Sequence, residues 1–114
     1  MNDCLFCKIV EKKIPAEIIY ENDQLLAFKD VDPQAPVHIL IIPKEHITTT
    51  NDLNEKHTEL IGNMLLAATK LANENDIADS GYRTVLNCNK AGGQSVYHIH
   101  LHLLGGRPMK WPPG

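Results

Sequence analysis

Along the chain the spacing of apolar positions changes twice. Ile18-Ile19-Tyr20 and Leu25-Leu26-Ala27-Phe28 flank the turn-forming Glu21-Asn22-Asp23-Gln24, a pattern that predicts a hairpin. The run from Val37 to Ile42 follows Pro33 and Pro36, is rich in β-branched residues and stops at Pro43; it reads as an interior strand with His38 at its start. From about 53 to 73 the period lengthens, with Leu60, Ile61, Met64, Leu65, Ala68, Leu71 and Ala72 at helical spacing. One amphipathic helix is predicted there, with Asp52 and Glu55 as a capping box. Segments 83–87 and 96–104 are predicted as the fourth and fifth strands, separated by a loop over 89–94. Strands split by a single long helix favour the α+β class, with a five-stranded, mainly antiparallel sheet, over alternating βαβ units.

Composition narrows the class. With 114 residues, 43% of them hydrophobic and 22% charged, the chain suits one globular domain spanning 1–114, and neither a disordered segment nor a membrane protein. No apolar stretch approaches the roughly 18 residues of a membrane span. Met1-Asn2-Asp3-Cys4 brings no cationic stretch into an apolar core, so no secretory signal is expected and the cytoplasm is the expected compartment. A net charge of -3 argues against tight binding to long nucleic acids and leaves small anions to local geometry.

The histidines are the strongest chemical signal. On a strand, His98, His100 and His102 project to one face while Ile99, Leu101 and Leu103 project to the other. Two chemistries follow. Three histidines can hold a catalytic zinc, although the segment itself offers no carboxylate as base or supporting partner. A neutral imidazole can instead attack phosphorus, and Gly92-Gly93-Gln94-Ser95 just upstream supplies backbone N–H groups, an amide and a hydroxyl suited to phosphate oxygens and a leaving group. Taken singly, Asp30 reads as a turn initiator, His38 as a core histidine, Trp111 as a surface aromatic and His57 as a solvated residue with no role.

Three cysteines do not make a disulfide framework. The pair in Cys4-Leu5-Phe6-Cys7 lies too near the start of the sequence for a thioredoxin-like redox motif. It is either half of a tetrahedral zinc site, with His46 and His98 as candidate partners, or two small buried residues. Cys88 reads as packing.

The stretches 92–107 (GGQSVYHIHLHLLGGR) and 30–43 (DVDPQAPVHILIIP), with the WPPG at 111–114, resemble the histidine triad (HIT) family in its Hint branch of purine nucleoside phosphoramidases, over nearly the whole chain. The resemblance implies a five-stranded antiparallel sheet with one long helix and a short N-terminal helix, joined across a homodimer into a ten-stranded sheet. It implies hydrolysis of the P–N bond of purine nucleoside 5′-phosphoramidates: His100 attacks the α-phosphorus, and water releases the monophosphate from the covalent nucleotidyl-histidine. His102 and His38 would orient around the phosphate, Ser95 would donate to the leaving amine, and Asp30 would accept from the ribose hydroxyls. Asn87, Gly93 and Gln94 match phosphate-side positions, Phe28 and Val31 match apolar positions around the base, and Trp111 would reach the partner's active site. Bacterial members of similar pattern imply a structural zinc on Cys4, Cys7, His46 and His98, with no organic cofactor. A nucleotide-binding scaffold and a dinucleoside polyphosphate hydrolase are the competing functions; the GGQS loop and WPPG ending speak against the second.

Overall fold

The computed structural model describes residues 3–114. Asn22 closes the predicted hairpin, its Oδ1 accepting the backbone N–H groups of Gln24 and Leu25 at 2.8 Å each, and so joins β1 (Ile18–Glu21) to β2 (Leu25–Lys29). β3 (Val37–Pro43) pairs with β2 on one side and with β5 (Leu101–Gly105) on the other. β4 (Tyr82–Val85) lies outside β5, so the antiparallel order is β1-β2-β3-β5-β4, and β1 and β4 are the edges. A short helix α1 (Leu5–Val10), a long helix α2 (Thr58–Glu74) and a helical turn α3 (Asn89–Gly92) complete the fold. Among the described residues no helix is long and apolar enough to cross a membrane.

The sheet is apolar on both faces. Leu25, Ala27, Ile39, Ile41, Leu101 and Leu103 pack with the buried stripe Leu60, Met64, Ala67, Ala68, Leu71 and Ala72 of α2. The alternating residues Leu26, Phe28, Leu40 and Ile42 cluster with Phe6 and Ile9 of α1. The strict alternation along β2 and β3 therefore sorts side chains between two layers rather than between core and solvent.

Six expectations are corrected. The long helix begins at Thr58, because Thr49 and Asn54 cap two 3-10 turns of their own, Thr50–Asp52 and Glu55–His57; the Asp52 carboxylate reaches back to the Thr49 N–H. Leu65 faces outward on α2 at 47% exposure, and His57 is buried, its Nδ1 accepting the Asn54 N–H. The fifth strand begins at Leu101 rather than 96, and the fourth ends at Val85, whose last partner is His102. Ahead of Leu101 the chain leaves the ladder, with the Ile99 N–H donating to Ile47 O at 2.8 Å, so Asn87 has no strand residue opposite it. The 89–94 loop contains the α3 turn, ended by Gly93 in the left-handed region at φ 88.

Candidate active site and metal-ligand cluster

A cavity of about 310 Å³ opens on the α1 face of the sheet. Leu5, Phe6 and Ile9 of α1 wall one side, Phe28 and Leu40 form the sheet side, Asp30 and Val31 lie at the end of β2, and Ser95, His100 and His102 bring the polar groups. Five of the expected site residues thus converge with Phe28: Asp30, Val31, Ser95, His100 and His102. Val31 is 97% exposed at the rim.

Hydrogen bonds to the backbone and between rings set the state of these imidazoles. His38 Nδ1 accepts the Gln34 N–H at 3.0 Å, so the neutral ring carries its proton on Nε2 and donates it to His102 Nδ1 at 2.9 Å. His102 in turn keeps its proton on Nε2. His100 Nδ1 lies 2.8 Å from the His98 carbonyl oxygen, which only accepts; Nδ1 is the donor, and Nε2 holds a lone pair. Two neighbouring rings are therefore in opposite tautomers, with a lone pair on His100 Nε2 and a donor on His102 Nε2. Asp30 completes the group, with Oδ2 3.4 Å from His38 Nε2 and Oδ1 accepting the Asp32 N–H at 2.8 Å. The carboxylate missing from the histidine segment arrives from the end of β2.

Burial keeps these rings neutral. It holds His38 and His100 below the ordinary imidazole value, against the opposing pull of Asp30 on both. Burial, reinforced by the neighbouring His100 and His38, pushes His102 down to about 4. His98 is also pushed to about 4, chiefly by its complete burial.

The remaining expected residues lie elsewhere. Gln94 is buried beneath the loop, and its amide is committed to backbone: Nε2 donates to Thr48 O and Val96 O, and Oε1 accepts the Asn89 N–H. Gly93 and Asn87 adjoin one another in the loop, outside the cavity lining. Trp111 is 82% exposed and stacks over the Arg83 guanidinium, away from the cavity of its own chain. Cys88 is half-buried, and the neighbouring Thr50 side chain holds its thiol below the ordinary value. Leu5, Phe6 and Ile9 of α1 were not among the expected site residues, although their apolar character around the expected cysteine pair was the available signal.

A second cluster adjoins the first. One ligand atom from each of Cys4, Cys7, His46 and His98 lies within 4.8 Å of the others. Cys4 Sγ is 3.3 Å from His98 Nδ1, and Cys7 Sγ is 3.3 Å from His46 Nδ1. His98 Nε2 is tied to Pro43 O at 2.8 Å, which makes Nε2 the donor and points the Nδ1 lone pair at the thiols. Two thiols and two oriented imidazoles fit a metal ion of zinc's chemistry. Asp30, His38 and His102 also bring ligand atoms within 4.8 Å, but there the facing nitrogens are joined by a hydrogen bond.

A protein-family profile described as scavenger mRNA decapping enzyme C-term binding matches residues 3–111. The purine nucleoside phosphoramidase of Escherichia coli K12 is 50% identical over 107 residues, covering 94% of this chain and 90% of that protein. A HIT-like protein of Synechococcus elongatus is 52% identical over 112 residues, covering 98% of this chain and 97% of its own. Among solved structures, a HIT family hydrolase from Legionella pneumophila superposes with a TM-score of 0.97 at 57% identity, covering 98% of this chain and 100% of that one. A histidine triad protein from Clostridium difficile superposes at 0.92 with 38% identity, covering 96% of each chain. Sequence and fold agree over almost the full length, and the chain belongs to the histidine triad (HIT) family of hydrolases.

Proposed function

We propose that the chain hydrolyses the phosphorus–nitrogen bond of purine nucleoside 5′-phosphoramidates, with His100 as nucleophile. The observation that carries this reading is the 2.8 Å bond from His100 Nδ1 to the His98 carbonyl, which leaves the Nε2 lone pair for the cavity. Nε2 forms a bond to the α-phosphorus as the bond to the leaving amine breaks. The amine takes its proton through the Ser95 hydroxyl, and the proton is replaced when water attacks the nucleotidyl-histidine and frees the monophosphate. His102 Nε2–H, held by the relay from Gln34 through His38, hydrogen-bonds the phosphate. Asp30 receives the ribose hydroxyls, and the base lies on the apolar wall with Phe28 and Val31. Gly93 and Asn87 border the phosphate side, and Gln94 braces that loop from below.

Cys4, Cys7, His46 and His98 would hold a structural zinc, which when bound supplies a closed ligand shell and no catalytic water. A homodimer through β4 is part of the same reading. It is supported by the unpaired edge of β4 beside an apolar groove of Ile61, Leu65 and Leu86, and it would carry Trp111 to the partner's pocket.

Steady-state hydrolysis of adenosine 5′-phosphoramidate, run beside diadenosine polyphosphates, tests the function. The phosphoramidate should be the better substrate, and His100→Ala should lose about three orders of magnitude in turnover while still binding AMP. Near-normal turnover in that variant ends the mechanism, and a preference for the polyphosphates ends the assignment.

A further inference from the structure

The metal-ligand cluster and the cavity share a wall. α1 has six residues, too few to be stable alone, so its position is set by what its two sides touch. Cys4 and Cys7 reach the cluster, while Leu5, Phe6 and Ile9 line the cavity. Phe6 stands between the two. It is 4% exposed, and its ring meets that of His100 edge-on at 5.1 Å and 86°. The same ring meets His98 at 5.9 Å and 72°.

A second link runs in parallel. The segment from Val96 to His100 is outside the sheet ladder and is held by the Ile99 N–H on Ile47 O and by His98 Nε2 on Pro43 O, both at 2.8 Å. His98 offers Nδ1 to the thiols while its own carbonyl orients His100. Whatever fixes His98 therefore fixes the group that sets the tautomer of its neighbour two residues on.

We propose that Phe6 is a positioning residue that couples occupancy of the Cys4, Cys7, His46 and His98 cluster to the cavity, so that a zinc-like cation and a nucleoside monophosphate bind cooperatively. The proposal rests on the nucleotide reading of the cavity given above. A cation on this cluster restrains α1 and the His98 segment. A nucleotide seated against Phe6 requires the same restraint, so whichever ligand binds second has less disorder to remove. The effect is reciprocal: the factor by which zinc tightens AMP binding equals the factor by which AMP tightens zinc binding.

The experiment is calorimetric titration of AMP into zinc-loaded and metal-stripped full-length protein, with zinc affinity measured by chelator competition in the presence and absence of AMP. Wild type should show a coupling factor of about tenfold, equal in both directions. Phe6→Leu, which keeps apolar volume but removes the ring edge, should bring the factor below about twofold and lower kcat more than it changes KM. Its zinc affinity without AMP should stay within about threefold of wild type, which separates lost coupling from a damaged cluster. Phe6→Ala is the stronger perturbation, and Phe6→Leu decides if that variant does not fold. Equal AMP affinity with and without zinc overturns the coupling and leaves the nucleotide reading intact. A tenfold factor surviving in Phe6→Leu overturns the role of Phe6. No AMP binding to the zinc-loaded wild type overturns the nucleotide reading, and the proposal with it.

Discussion

Acidification should weaken the fold through His102, in a pH window fixed by its surroundings. In the unfolded chain this imidazole takes up its proton below about 6.5. In the folded protein burial, with His100 and His38 alongside, delays protonation to about 4. Between those values the unfolded state binds more protons, so stability falls as pH falls from 6.5 to about 4, is complete above 6.5, and receives no further loss from this group below 4. At 1.36 kcal/mol per unit the whole difference would be about 3 kcal/mol, and the partial exposure of His102 reduces this to about 1.5 kcal/mol. His38, also lowered by burial, acts in the same direction.

The assay is urea denaturation of metal-stripped wild type and His102→Gln between pH 7.5 and 4.5. Stripping the metal keeps release of a cation from the cysteine cluster out of the slope. Gln removes the titration while offering an oxygen to the His38 Nε2–H, so the gap between the two stabilities should narrow by about 1 kcal/mol over that range. A constant gap across that range would refute the argument, and stability rising on acidification would refute its sign.

Two further outcomes test the supports of the site. A Cβ at Gly105 would meet Ile77 Cδ1 at 2.5 Å, so Gly105→Ala should cost about 2 kcal/mol by urea denaturation, and Ile77→Val, which removes that carbon, should recover part of it; strictly additive effects would show that the clash is not the cause. Gln94→Ala strands the Asn89 N–H and removes one donor from each of Thr48 O and Val96 O, so it should destabilise by about 2 kcal/mol and raise hydrogen exchange at Asn89; an unchanged melting curve would count against its bracing role.

The elements whose apolar pattern is local were legible. The hairpin carries its turn in Asn22, and the α2 stripe reads directly from its three- and four-residue steps. The misplaced ends were decided by competition between local and long-range partners. Thr49 and Asn54 are good caps, yet nothing in their spacing says that they head separate short turns before the helix. Segment 98–103 alternates strictly, but Ile47 and Pro43 draw residues 98 and 99 out of the ladder, and β4 stops where its neighbour leaves. Alternation reports which side a residue faces; it does not report whether a partner strand is present.

The histidines show why the candidate site was legible in membership but not in mechanism. Their grouping follows from residue type and period, whereas the tautomers of His38, His98 and His100 follow from backbone partners that no side-chain pattern encodes. Gln34 N–H, the His98 carbonyl and the Pro43 carbonyl are generic groups, present at every such position of any chain. The first two are local to their rings, but the His38 Nε2–H meets His102 Nδ1 only because β3 and β5 pair in one register, with Leu40 opposite His102 and His38 opposite Leu104. A slip of one residue would exchange the faces of β5 and send His102 toward α2. The core that sets this register, Ile39 and Ile41 beside Leu103 and Leu101, is thus also what places the His38 donor against His102 Nδ1. In this fold the tautomer of His102 is a consequence of packing on the opposite face of the sheet.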